Sequence, residues 1–320
     1  MVVAVGKRCK SPVELSRELD LWWRGYFLVD DKHVGVRGKD VTWYLGVDKT
    51  GDIVHAEAFK EATVTAMGEF FKTVRDDLSY RMKGLTSDQE GIIRWAFQRI
   101  FPGKPHQLCV KHALEALDRH LGYSKARRRI KSLQRKVRAQ FRSLPDRRSP
   151  ESARRVWEGV KRGYEQIRQE RKALKPVETL RRAIRRVLCA ATYRQALSRW
   201  ANFHRHRLHR CPAHRRIIDF IGERWQQLTV HYHHRGMPRT NNIAENTMRQ
   251  LERRLKTVEG FGTVTSARAY LNLLIGYLRT KPFTDCRGSR RYRNGLSRLE
   301  LAGATLPTYD WLKLCLKTAK

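Results

Sequence analysis

The chain is organised around residues 240–261, which read TNNIAENTMRQLERRLKTVEGF. Asn241 and Asn242 are residue types that start helices and Gly260 is one that stops them, so this stretch is predicted to be a single helix. Its apolar residues recur at helical spacing, which predicts one buried stripe. The stripe consists of Ala244, Met248, Leu251, Leu255 and Val258.

Glu245 lies in the first turn of this predicted helix, at the edge of the stripe. One helical row continues from it through Arg249 and Arg253. A carboxylate at the rim of a core, with cations behind it, is well placed to hold a metal ion. The alternative is a structural one, in which Asn242 and Glu245 form a capping-box-like pair.

The N-terminal third of the chain predicts strands separated by two helices, followed by a third helix. Three strands with short links, including the turn at 48–51, indicate an antiparallel meander. The predicted order is βββαβαβα, an α/β arrangement. Its elements are strands 26–36, 41–47 and 53–59, helix 63–78, strand 82–86, helix 90–101, strand 107–110 and helix 111–120.

Three segments carry a resemblance to a known family. Asn-Asn, two residues, Glu, a basic helix and Gly-Phe resemble the third catalytic segment of the DDE transposases, closest to the bacterial insertion-sequence and Mutator-like branch. FLVDDK at 27–32 resembles the first-acid strand of that family. GLTSDQEG at 84–91 and FPGKPHQLCVKH at 101–112 resemble its second-acid segment and the sequel.

This resemblance implies a ribonuclease-H-like fold, a mixed five-stranded sheet flanked by helices, in which the fourth strand lies parallel beside the first. Asp30 and Asp88 would then be neighbours at the carboxyl edge, and Asp30, Asp88 and Glu245 would be the catalytic metal ligands. Their oxygens suit two Mg²⁺ ions, with Mn²⁺ as a substitute. The implied reaction is cleavage at transposon ends and strand transfer to target DNA.

Asp30 and Asp31 compete for the first ligand position. Neighbouring side chains on a strand point to opposite faces, so the two residues cannot easily share one role. Asp30 directly follows the apolar run 27–29, where the first family acid stands. We therefore expect Asp30 to be the ligand.

Cys109 and His112 match a Cys-x-x-His motif that recurs in Mutator-like transposases. The motif supplies two ligands, whereas a zinc site needs four. A local structural or DNA-contacting role is expected.

Residues 123–237 predict a helical, basic segment. Between positions 124 and 148 there are 11 Lys or Arg residues and one acid, Asp146. A solvated helix face usually mixes signs, so this bias favours contact with phosphates. The expected DNA-binding residues are Arg127, Arg128, Arg129, Lys131, Arg249 and Arg253.

Composition points to the same partner. The 320 residues carry a net charge of +36, and the hydrophobic fraction of 41% is sufficient for a packed core. Such a field suits a polyanion, of which DNA is favoured over an anionic membrane surface because basic residues run the whole length and no apolar run approaches a membrane span. Six scattered cysteines predict reduced thiols in a cytoplasmic protein. Association with the nucleoid is expected when the protein is bound to DNA.

The expected organisation is a linker or remnant at 1–24, a catalytic core at 25–122 and 238–281, a helical basic insertion between the second and third acids at 123–237, and a tail at 282–320. Transposases of the resembled type usually carry a DNA-binding module before the core, and the stretch before Tyr26 is too short for one. Either that module is absent or the chain is an N-terminally shortened member of the family. A transposase acting as a homo-oligomer on DNA is expected. A non-catalytic DNA-binding descendant and a ribonuclease-H-like nuclease are the alternatives.

Overall fold

The computed structural model describes residues 2–88, 91–142, 150–205, 212–256, 258, 260–307 and 310–317. The chain divides into two compact units. The first comprises Met1–Cys109 and Val230–Lys320, and the second comprises Val110–Thr229.

The described residues form five strands and a series of α-helices. The strands are β1 (Tyr26–Val36), β2 (Lys39–Asp48), β3 (Ile53–Phe59), β4 (Gly84–Ser87) and β5 (His106–Leu108). The helices are α1 (Val2–Arg8), α2 (Pro12–Arg17), α3 (Val64–Lys72), α4 (Gly91–Ile100), α5 (Val110–His120), α6 (Tyr123–Arg142), α7 (Pro150–Leu188), α8 (Tyr193–Arg205), α9 (Pro212–Glu223), α10 (Trp225–Thr229), α11 (Asn242–Leu255), α12 (Val264–Thr280), α13 (Arg298–Leu301) and α14 (Trp311–Cys315).

The five strands form one mixed sheet in the order β3-β2-β1-β4-β5. β1, β2 and β3 pair antiparallel, whereas β4 pairs parallel with both β1 and β5. This confirms the predicted α/β class with a mixed five-stranded sheet. The predicted bounds of β1 and β3 match the observed ones.

Each face of the sheet is covered by its own pair of helices, because side chains alternate along a strand. On one face, Leu28, Trp43 and Leu45 belong to a core that includes buried residues of α11 and α12. On the other face, Phe27 and Tyr44 belong to a core with α3 and α4. The stripe predicted for α11 lies in the first of these cores.

The second unit is helical throughout its described part. α6 packs along α7 through a core that includes Ile130, Val137, Val160 and Ile167. α5 packs against α6, α7 and α9, so it belongs to this unit rather than to the catalytic core expected at 25–122. α7 runs through Pro176 without ending there.

Two further expectations concern residues 1–24 and the end of α11. Residues 1–24 were expected to be a linker or remnant, and Leu15 of α2 packs with Leu299 and Leu314 of the predicted tail in a small core. α11 ends at Leu255, before Gly260. The physical reason is that Phe261 pairs with the far end of β1, exchanging backbone hydrogen bonds with Gly35 and Arg37, which requires extended chain there. Glu90, the expected start of α4, lies outside the described residues.

The first unit receives the returning chain next to the point where it left. The chain exits after β5 at Cys109 and re-enters at Val230. The Oε1 atom of Gln107 on β5 accepts a hydrogen bond from the backbone N–H of His231 at 2.8 Å. None of the helices in the described ranges combines the length and apolarity that a membrane crossing needs.

A buried ion pair joins α12 and the N-terminal helix α2 to the β2–β3 turn of the sheet. Arg279 of α12 and Asp52, in the β2–β3 turn, are both fully buried, and the guanidinium donates two hydrogen bonds of 2.8 Å to the carboxylate. Arg279 also donates to the Pro12 carbonyl and to the Ser16 hydroxyl of α2. One side chain therefore links three segments that are distant in sequence.

Replacing Arg279 with Met should cost about 3–5 kcal/mol of unfolding free energy, because it leaves the Asp52 carboxylate buried without its bidentate partner. Arg268→Met is the matched control on the same helix, since Arg268 pairs with Glu57 at 2.6 Å but is half exposed. An exposed pair of that kind contributes about 1 kcal/mol or less. Urea unfolding of the two variants measures the difference, and equal losses would contradict this account.

Candidate active site

Two of the predicted acids lie beside each other on neighbouring strands, Asp88 directly after the end of β4 and Asp30 within the longer β1. The parallel register of these strands pairs Tyr26 with Gly84 and Leu28 with Thr86. Asp30 and Asp88 stand two residues beyond that last pair, at equivalent positions, and both side chains are half buried. Ligands of open α/β sheets collect at this edge.

Strand alternation assigns Asp30 to the sheet face covered by α11. Asp30 is opposite Leu45 in the β1–β2 ladder, and Leu45 lies in the core formed with α11 and α12. Two residues further along the same face, Lys32 Nζ contacts Glu252 Oε1 of α11 at 2.8 Å. Asp30 therefore shares a face with the helix that carries Glu245.

Asp31 belongs to the opposite face. It is opposite Tyr44, whose ring packs in the core formed with α3 and α4. The register thus separates the two adjacent aspartates.

The segment before α11 crosses the ends of the central strands. Thr86 Oγ1 on β4 donates a hydrogen bond of 2.8 Å to the Pro238 carbonyl. Three residues later, Asn241 Nδ2 donates to the Val29 carbonyl on β1 at 2.6 Å. The backbone N–H of Asn241 also donates to Cys109 Sγ, at the end of β5, at 3.3 Å. This crossing fixes where α11 begins.

Asn241 is the N-terminal flanking residue of α11, but it does not cap the helix. No side-chain cap hydrogen bond is found among the described residues at this end. The amide is fully buried and is used instead for the bond to Val29, the residue directly before Asp30. The alternative capping-box-like pair of Asn242 and Glu245 is therefore not the arrangement seen.

Glu245 lies in the first turn of α11 and is 7% exposed. Its backbone N–H donates to the Asn241 carbonyl at 3.0 Å. Arg249, one turn later, approaches the Glu245 carboxylate at 3.7 Å and is itself 59% exposed along its side chain. The carboxylate also has Cys109 Sγ within 4.8 Å of one of its oxygens. A buried carboxylate needs compensating charge, and this exposed arginine contributes to it.

The donor set at this edge fits divalent cations of the Mg²⁺ type. In addition to the carboxylates, Asn241 Oδ1 is buried without a hydrogen-bond partner among the described residues. These are the oxygen donors that Mg²⁺ and Mn²⁺ prefer.

The other predicted residues occupy varied positions. Cys109 is buried at the end of β5, His112 is half buried on α5, and Asn242 is exposed beside Asn241. The predicted DNA-binding residues are exposed: Arg127, Arg128, Arg129 and Lys131 on α6, and Arg249 and Arg253 on α11. Arg129 also contacts Glu170 of α7 at 2.9 Å.

Sequence reasoning missed the long-range roles of Thr86 and Pro238 and treated Asn241 mainly as a helix start. The signal available was the pair of adjacent asparagines, since only one is needed to begin a helix. The burial of one and the exposure of the other distinguish them.

Comparison with known proteins supports a transposase. Residues 118–269 match the family model described as Transposase IS66 family. The match covers just under half of the chain and includes Asn241, Asn242 and Glu245. This family is distinct from the Mutator-like branch that the motifs resembled, so that finer expectation is not supported. No curated protein matches the chain.

Asn241→Asp should destabilise the protein by roughly 1–3 kcal/mol, because it keeps the side-chain shape but replaces the donor to Val29 with a buried carboxylate. Asn242→Asp, one residue along and exposed, should stay within about 0.5 kcal/mol of the parent. Chemical unfolding of both variants gives the comparison. Equal stabilities would show that the Asn241 amide does not hold α11 to β1.

Proposed function

We propose that the chain is a DDE transposase with a ribonuclease-H-like catalytic core, which cleaves transposon ends and transfers them to target DNA. Asp30, Asp88 and Glu245 are the proposed catalytic metal ligands. The helical second unit is the proposed insertion between the second and third acids. The strand order β3-β2-β1-β4-β5, with its antiparallel meander and two parallel strands, supports this core.

One observation carries the proposal. Glu245 lies in the stretch that matches a transposase family, and its helix is bonded through Asn241 to the carbonyl of Val29, directly before Asp30 on β1. The third acid is therefore linked to the first through one buried side chain and a short run of backbone.

When bound, divalent ions would supply Lewis-acid activation of a water or 3′-hydroxyl and stabilise the leaving oxygen. The residues of the protein would position the ions and balance the charges around them. Asp30 presents its carboxylate from within β1 and Asp88 from directly after β4, and the buried start of α11 restricts the rotamers of Glu245. Arg249 partly balances the charge of Glu245 and can bind a phosphate beside it. No side chain is required as a covalent nucleophile.

DNA is the proposed partner, as transposon ends and as target, with the chain acting as a homo-oligomer on DNA. The net charge of +36 supports this choice. A cytoplasmic location with nucleoid association follows from the same proposal. Terminal inverted repeats and a target duplication flanking the gene would provide independent support.

Glu245→Gln should abolish Mg²⁺-dependent cleavage of DNA taken from the flanks of the gene, because the amide keeps the shape but loses the charge that holds the ion. It should also remove the rise in melting temperature that Mn²⁺ produces in the parent. DNA binding should remain nearly intact.

Glu252→Gln is the matched control on the same helix, where the carboxylate pairs with Lys32 at the protein surface. It should retain cleavage and the Mn²⁺ response. Cleavage by the Glu245→Gln variant at the parent rate would contradict the proposal that Glu245 is a metal ligand. DNA binding without cleavage by the parent under any divalent ion would favour the non-catalytic alternative.

Asp30→Asn should reduce cleavage by more than the roughly 10–100-fold typical of losing an outer-shell partner, because Asp30 is the proposed ligand. Asp31→Asn should have a much smaller effect, since its register partner Tyr44 belongs to the other face. Parallel cleavage assays with Mg²⁺ and Mn²⁺ decide between them. The reverse pattern of loss would move the site to Asp31.

A further inference from the structure

A basic cleft lies in the first unit between α11, α12 and the C-terminal segment. Its volume is about 740 Å³, and it is lined by six arginines and one lysine. Asp285 is the only acid among the described residues that line it. A cleft lined by one sign of charge focuses the field and attracts ions of the other sign.

The outer wall is a closed loop at residues 283–296, here called the basic loop. Asn294 closes it, accepting a hydrogen bond from the Cys286 N–H at 2.8 Å and donating one to the Cys286 carbonyl at 3.1 Å. Backbone bonds between Phe283 and both Gly295 and Leu296 fix its base. Its short helix Gly288–Arg293 presents Arg290 and Arg293 to the cleft. The loop is thus a fixed wall that carries positive charge.

The floor contains a buried cation that lacks a carboxylate of its own. Arg298 is 4% exposed and lines the cleft. Its hydrogen bonds in the described structure go to uncharged oxygens, the Gly51 carbonyl and the Gln250 amide. Asp52 is the nearby carboxylate, but both of its oxygens already accept bonds from Arg279. Two buried guanidiniums therefore share one negative charge.

Burial lowers the pKa of Arg298 to about 10, with Arg293 acting in the same direction and Asp52 opposing it. The guanidinium remains protonated at neutral pH. A buried cation that must share its counter-charge is costly, and an anion bound in the cleft would offset that cost.

The chemistry of the lining favours phosphate esters. Arginine presents a planar fork that matches phosphate oxygens in bidentate geometry, and six of the seven cations are arginines. The cations are spread along the cleft from Arg249 and Arg253 on α11 to Arg290 on the loop, which is more than one phosphate group can engage. The exposed ring of Tyr292 on the loop adds a surface on which a base can stack.

We propose that this cleft binds the phosphodiester backbone of a nucleic acid strand. The inference rests on the proposed function in taking DNA as the polymer and Glu245 as a catalytic carboxylate. Arg249 belongs both to the cleft lining and to the contact with Glu245. Arg249 follows Glu245 by four residues, about 6 Å along the helix axis, so a strand bound at Arg249 passes close to the proposed catalytic carboxylate. The C-terminal segment would then guide the strand toward the site.

The test compares two triple variants with equal loss of charge. Arg253, Lys281 and Arg290, all exposed residues of the cleft, are changed to Gln in one. Arg24, Arg81 and Arg99, exposed residues of the first unit outside the cleft lining, are changed to Gln in the other. Melting temperatures check that both variants fold as the parent does.

Fluorescence anisotropy measures binding of single-stranded and duplex oligonucleotides at several salt concentrations. For each phosphate contact that it loses, the cleft variant should bind DNA roughly eightfold more weakly at 0.1 M salt. The slope of log K against log salt concentration should become shallower by about 0.9 per lost contact. The control variant should lose much less. A larger loss for the single strand than for the duplex, or the reverse, identifies the form that the cleft binds.

Photo-crosslinking with an iodouracil oligonucleotide should label the basic loop in the parent. Equal affinities and slopes for the two triple variants would overturn the cleft proposal while leaving the proposed function standing. Absence of DNA binding by the parent at low salt would overturn both. Polyglutamate and unlabelled DNA of equal charge are compared as competitors. If polyglutamate displaces the oligonucleotide equally well, the cleft is reassigned to binding an acidic protein segment.

Discussion

The hydrogen bond from the Asn241 amide to the Val29 carbonyl is the constraint on which the candidate site depends. The bond is short and fully buried, so leaving the carbonyl without it would carry the desolvation penalty of an unsatisfied group. It fixes the first turn of α11 against β1, and thereby the position of Glu245. The Thr86–Pro238 bond supplies a second point of attachment on β4. Since both bonds end on sheet strands, the helix that carries the third acid inherits the rigidity of the sheet.

Local patterns in the sequence were sufficient for much of the fold. Alternation and turn residues gave β1 and β3 at their observed bounds, and the spacing of Asp30 and Asp88 equals the register offset between β1 and β4. The 3.6-residue period also predicted the buried stripe of α11. What local patterns could not supply were pairings between distant segments. The end of α11 at Leu255 depends on Phe261 pairing with β1, and the assignment of α5 depends on its contacts with α6, α7 and α9. The partner of Asn241 is likewise determined by a strand far away in the chain.

Electrostatics divides this molecule into two regimes. Most of its excess positive charge is exposed, where water and salt screen it. Arg279 and Arg298 are different, because both are buried and are held by specific oxygens of the β2–β3 turn. That turn therefore connects the stability of the first unit with the charge of the cleft. Lys32 and Glu252 join β1 and α11 at the surface. Charge thus contributes both to the assembly of the core and to the attraction of a polyanion.

The return of the chain at His231, bonded to Gln107 beside its exit, has a consequence during synthesis on the ribosome. The strands are translated first, but α11 and α12, which cover one face of the sheet, follow only after the whole of Val110–Thr229. At roughly 5–20 residues per second, that delay is on the order of ten seconds. Helix formation takes about a microsecond, so the second unit has time to fold before α11 and α12 are available to cover the sheet. During this interval Leu28, Trp43 and Leu45 lack their covering helices, and the growing chain is most prone to aggregation then.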